Sequence, residues 1–150
     1  MNANSQHINS FNQAYFIGIG GIGMSALARY FLSKGWNVGG YDKTPSKLTE
    51  TLGREGAIVH FEDLGEAIPK EFLSKENTLV IYTPAIPKAM KELVFLQEND
   101  YSVFKRSEVL GMITRDSQAL CVAGTHGKTT TSSLLAHILN ESKLKCSAFL

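Results

Sequence analysis

Little in this sequence marks it for a membrane, a nucleic acid or an oxidising compartment. None of its apolar runs approaches the ~20 residues that cross a bilayer. Cys121 and Cys146 are its two cysteines, and they form neither a CxxC pair nor a disulfide framework. There is no block of lysines and arginines. With 15 basic against 14 acidic residues the formal charge is +1, so nothing grips a phosphate backbone or an anionic lipid surface. The opening segment MNANSQHINSFNQ lacks the apolar core of a secretory signal. These absences point to a cytoplasmic protein with no nucleic-acid partner and no membrane insertion. Internal repeats and low-complexity segments are missing too. What is present is an ordinary globular makeup: 150 residues, 43% hydrophobic and 19% charged, too apolar for a disordered chain.

Short β-rich runs alternate with amphipathic helical runs, the pattern of an α/β fold with a parallel sheet. Residues 1–13 read as a polar tail. Strands are expected at Ala14–Ile19, Trp36–Tyr41, Ala57–His60, Thr78–Tyr82 and around Val103 and Phe104. Met24, Leu27, Ala28, Phe31 and Leu32 fall at helical spacing, and Gly35 stands where a left-handed cap closes a helix. Ser46 is placed to cap a helix ending near Gly56, Lys88–Glu98 reads as another, and Ser107 as the cap of one running to Ile113. A second unit then begins. Ala119–Ala123 reads as a buried strand, followed by a turn and a helix with Leu134, Leu135, Ile138 and Leu139 facing inward. The domain reading is a complete Rossmann-like unit over 14–113, then the truncated start of a P-loop ATP-binding domain over 116–150.

Two glycine turns carry the chemistry. Gly18, Gly20 and Gly23, with Gly21 between, spell GxGxxG between a strand and a helix. Such a turn brings main-chain amides and a helix N-terminus close to a diphosphate. Asp42, at the end of the second strand, suits ribose hydroxyls. Spacing alone admits NAD or FAD equally well, and a dehydrogenase domain stays open on this turn. In the second turn, Gly124, Thr125, His126, Gly127, Lys128, Thr129 and Thr130 resemble a phosphate loop, although Val122 stands where the strict GxxxxGK[ST] pattern has its first glycine. Lys128 is the catalytic candidate, a point charge for the β- and γ-phosphates of ATP, and the Thr129 hydroxyl is a ligand for Mg²⁺. A lysine at a helix start is unfavourable without an anion to offset it. His126 matters there for its backbone, and the histidines and cysteines show no metal-ligand spacing.

GIGGIGMSALA at 18–28, YD at 41–42, YTPAIP at 82–87, KRSEVLG at 105–111 and AGTHGKTTT at 123–131 occur in that order. Together they resemble the Mur ligase family of peptidoglycan synthesis over nearly the whole chain. The resemblance implies an N-terminal domain for the UDP part of UDP-N-acetylmuramate, a central domain for ATP and Mg²⁺, and a third domain for the incoming amino acid, L-alanine. It implies an acyl phosphate of the muramoyl carboxylate, attacked by the amine to give an amide. On this resemblance Gly18, Gly20, Gly21, Ile22, Gly23, Met24 and Ser25 serve the UDP diphosphate and Asp42 the ribose. His60 with Thr83, Pro84 and Ala85 lines the uridine or sugar pocket, and Arg106 and Ser107 lie near the muramoyl group. The family often has serines where this chain has Tyr82, Thr83 and Pro84, so only Thr83 keeps a hydroxyl there. A related ligase that adds a tripeptide to the same muramate would share this N-terminal pattern. Ligation itself is expected to need residues beyond Leu150.

Overall fold

The computed structural model describes residues 8–144 and 146–149. Its centre is a parallel five-stranded sheet in the order β3-β2-β1-β4-β5, with β1 at Gln13–Ile17, β2 at Asn37–Tyr41, β3 at Ile58–His60, β4 at Thr78–Tyr82 and β5 at Ser102–Lys105. β1 lies between β2 and β4, with Ile17 opposite Tyr41 on one side and Tyr82 on the other. Parallel strands need covering on both faces, and the side-chain alternation of β1 divides the core accordingly. Ala14 and Phe16 join Met24, Leu27, Phe31, Leu52 and Val109 on one face. Tyr15 and Ile17 join Ile68, Phe72, Leu93 and Leu96 on the other.

Helix α1, Ile22–Ser33, buries Met24, Leu27, Ala28 and Phe31. Gly35 ends it at φ 79, and the Trp36 amide returns to the Phe31 carbonyl at 3.1 Å, the left-handed cap expected there. Helix α2, Lys47–Arg54, starts from Ser46, whose side chain accepts from the Thr49 amide. Helix α3, Lys91–Glu98, starts three residues later than the sequence suggests, because the Asp63 carboxylate accepts from the Lys91 and Glu92 amides and fixes the start there. Helix α4, Arg106–Arg115, begins before Ser107, so that serine is a helical residue and not the cap. The Lys105 amide is held instead by the Glu108 carboxylate at 2.6 Å.

The polar-tail expectation fails over its second half. Met1–His7 lie outside the described residues, but Ile8–Ser10 form a 3-10 turn, and Ile8 and Phe11 are buried in the first core. Two apolar residues among polar ones are enough to anchor the segment across the sheet's base. The second glycine unit also departs from expectation. Ala119–Ala123 form no strand; they are irregular and mostly exposed, with Leu120 at 67%. Helix α5, Lys128–Glu141, does form, but it buries no residue, and Leu134 and Ile138 face outward. A strand exists only where a neighbour takes its backbone hydrogen bonds, and none of the five strands lies beside 119–123. Further on, Phe149 returns to pack edge-on against Tyr30 of α1 at 5.5 Å.

Candidate functional site

All five strands point the same way, so their carboxyl ends share one edge. Strand order reverses at β1, whose neighbours β2 and β4 carry the chain to opposite sides. In open α/β sheets the crevice at such a reversal is where ligands bind. Here it is floored by the first glycine turn. Gly18 takes φ 91, and a Cβ there would press against Ile86 and Thr83 of the turn after β4. The Gly18 and Ile19 amides both return to the Tyr41 carbonyl. Glycine is needed at this position for its backbone and for the close approach.

Asp42 reaches this turn from the end of β2. Its Oδ2 accepts from the Gly20 amide at 2.7 Å and its Oδ1 from Thr44 at 3.2 Å. A Cβ on Gly20 would lie 2.8 Å from the same carboxylate oxygen. So the Gly20 amide, expected at a diphosphate, is held by Asp42 in this structure. The Gly21 amide turns back to the Gly18 carbonyl. The first-turn amides of α1 have no carbonyl four residues earlier within the helix, and no acidic side chain stands in that turn. Ile22 is exposed, whereas Met24 and Ser25 point inward, with the Ser25 hydroxyl on the Ile22 carbonyl at 2.9 Å.

From the far side, Arg106 at the start of α4 lays its guanidinium on Gly23. A Cβ on Gly23 would fall 2.6 Å from its Cζ and Nε. The Arg106 Nε is buried without a hydrogen-bond partner. The third glycine of the motif therefore makes room for a cation from another element, a contact the sequence reading did not foresee. Thr83 is half-buried at the crevice wall, while Pro84, Ala85 and Ser107 are exposed.

His60 stands at the carboxyl end of β3, with its ring hydrogen-bonded inside the fold. Its Nε2 lies 2.7 Å from the Tyr15 hydroxyl and its Nδ1 2.9 Å from the Glu62 carbonyl. Both ring nitrogens thus meet partners within the protein itself. Sequence reasoning also missed Glu92, a fully buried carboxylate on α3. The clue was Tyr15: a phenol in a buried strand needs a polar partner. Burial pushes the Tyr15 hydroxyl and the Glu92 carboxyl upward, each relative to its ordinary value.

The second loop stands on its own contacts. Gly127 caps α5 at φ 75, and the Thr131 amide bonds its carbonyl at 2.9 Å. Lys128 curls back, its ammonium donating to the Gly124 carbonyl at 2.7 Å and the Thr125 carbonyl at 3.4 Å. Gly124, Thr125, His126, Thr129 and Thr130 are exposed.

Residues 13–118 match the family described as "Mur ligase family, catalytic domain". The chain belongs to the Mur ligase family. It is 57% identical over 143 residues to the UDP-N-acetylmuramate–L-alanine ligase of Phocaeicola vulgatus, covering 95% of this chain and 31% of that protein. It is 56% identical over 147 residues to the enzyme of the same name from Cytophaga hutchinsonii, covering 98% of this chain and 31% of that one. Among solved structures it resembles the UDP-N-acetylmuramate-alanine ligase of Thermotoga maritima, with a TM-score of 0.74 at 29% identity over 87% of this chain and 30% of the other. A Neisseria meningitides ligase of UDP-N-acetylmuramate and L-alanyl-gamma-D-glutamyl-meso-diaminopimelate gives 0.74 at 27% identity, over 88% of this chain and 40% of that one. The chain thus spans about a third of the length of the curated relatives it matches.

Proposed function

We propose that the sheet domain binds the UDP part of UDP-N-acetylmuramate, and that loop 124–130 binds the phosphates of ATP. The parent activity is the joining of L-alanine to that muramate in cytoplasmic peptidoglycan synthesis. The observation that carries this reading is the Arg106 guanidinium lying on Gly23, its Nε buried and unpartnered at the amide-rich start of α1. A cation against the positive end of a helix is unfavourable alone and favourable with an anion between them. A diphosphate meets both groups at once. The names of the relatives favour the muramyl nucleotide over a redox dinucleotide, and L-alanine over a peptide. The second loop argues the same way, because a dehydrogenase has no need of it.

A carboxylate is a poor acyl donor, so the ligation runs through an acyl phosphate that the amine then attacks. Transfer between two anions needs positive charge held in place. The residues of the second loop fit that demand. Lys128 brings an ammonium to a turn with no acidic residue in the helix turn that follows, and Gly127 opens the helix amides toward it. Thr129, exposed one residue into α5, offers Mg²⁺ one oxygen, which suits an ion that keeps most of its waters. Bound there, Mg²⁺ would supply neutralisation of phosphate charge.

Calorimetry on the 150-residue chain tests the reading. UDP-N-acetylmuramate is expected to bind and NADH to be ignored; the reverse result overturns the proposal. Arg106→Ala should weaken the muramyl nucleotide by about 1.5–3 kcal/mol, the range of a charged hydrogen bond, or roughly 10- to 150-fold. ATP turnover by these residues alone at the rate of a full-length ligase would contradict the assigned division of labour.

A further inference from the structure

Beneath the crevice, on the α3 face of the sheet, three titratable side chains from three elements meet in a line. The Tyr15 hydroxyl of β1 is 2.8 Å from Glu92 Oε2 of α3 and 2.7 Å from His60 Nε2 at the end of β3. The Leu64 amide donates to Glu92 Oε1 at 2.8 Å. Tyr15 and Glu92 are fully buried.

Counting hydrogens constrains the cluster. The Glu62 carbonyl can only accept, so His60 Nδ1 carries a proton. Tyr15 has one hydrogen and two neighbours. If it donates to Glu92, then Nε2 must carry a proton, and the pair is imidazolium with carboxylate. If it donates to His60, then Oε2 must carry one, and the pair is imidazole with carboxylic acid. The two forms hold the same number of protons. They interconvert when one proton passes from Nε2 to the phenol oxygen and the phenol proton passes to Oε2. Remove one proton altogether and Tyr15 can satisfy only one neighbour. The other contact then sets two lone pairs against each other in a buried site, which is costly.

We propose that Tyr15, His60 and Glu92 form a single proton-holding unit that ties the anchoring of β3 and the Asp42 turn to pH. His60 ends β3, an edge strand paired only with β2. Its carbonyl accepts from the Asp42 amide at 3.1 Å, and Asp42 in turn holds the Gly20 amide. His60 is thus a positioning residue: through Asp42 it holds the glycine turn in place. The charged group facing the unit is Asp63, whose carboxylate accepts from the first amides of α3, and the Tyr41 ring lies 5.8 Å from His60. Burial first, and then the acidic Asp63, favour keeping the proton. The Glu92 carboxyl is raised above its ordinary 4.5. Its contribution to stability is therefore complete below 4.5 and lost as pH rises through the folded value.

Glu92→Gln separates this unit from a merely packed cluster. The amide nitrogen can donate to Tyr15, Tyr15 to Nε2 and Nδ1 to Glu62, so these three contacts are kept while the carboxyl proton is removed. Urea midpoints measured from pH 4.5 upward should show the wild type losing stability relative to Glu92→Gln. The relative folding constant should fall by at most about tenfold per pH unit. Parallel profiles for the two proteins would overturn the proposal. If the variant does not fold, NMR of the wild type decides. The Tyr15 ring carbon that bears the hydroxyl and the Glu92 carboxyl carbon should shift together with one midpoint, and two separate midpoints would refute the unit.

Discussion

The chain contains two glycine turns that open into helices, and they differ in what surrounds them. α1 follows a strand flanked on both sides and buries five residues, whereas α5 follows an irregular segment and buries none. The local signals are alike. Packing, and not propensity, supplies most of the stability of a helix in a protein, so the same turn-helix pattern is a fixed part in one setting and a peripheral one in the other.

The comparison breaks most sharply at the glycines. A Cβ on Gly40 would sit 2.1 Å from the Phe16 carbonyl oxygen, between two central strands, while at Gly127 nothing lies within 4 Å. Gly40→Ala should cost about 3 kcal/mol or more, because backbone must move, and urea denaturation should show loss of the cooperative transition or a large drop in its midpoint. Gly127→Ala has only its positive φ to oppose it, about 1–2 kcal/mol confined to the loop, with the main transition unchanged. Next in size are the helices. Leu27→Ala removes a fully buried side chain and should cost about 2–5 kcal/mol. Leu134→Ala, on an exposed face, should stay within about 0.5 kcal/mol. Equal losses at the two positions would show that α5 is packed in solution. The smallest effect belongs to Arg29, whose Nε meets both carboxylate oxygens of Glu55 at 2.8 and 3.0 Å on the surface. Arg29→Ala should cost no more than about 1 kcal/mol and lose even that in high salt.

The sheet was legible because its strands are short apolar runs punctuated by Gly18, Gly35, Gly56 and Pro84, and each run found a neighbour. The expected strand at 119–123 has the same composition and no neighbour, and composition carries no information about neighbours. Ile8 and Phe11 were hidden by polar company. At the site, Gly18, Gly20 and Asp42 could be read from spacing, since main-chain geometry dictates them. Arg106 on Gly23 and Glu92 beneath Tyr15 could not, because each contact joins elements remote in sequence and depends on which strand lies beside which. The inward direction of His60 follows from the same long-range pairing.

The stretch between the end of α4 at Arg115 and the start of α5 at Lys128 is irregular and largely exposed. As a tether of that length it can span at most ~45 Å when straightened. Beyond α5 the chain is fastened again, by Phe149 on Tyr30, so the loop that carries Lys128 is slung between two attachments to the sheet domain, and its reach is set by both.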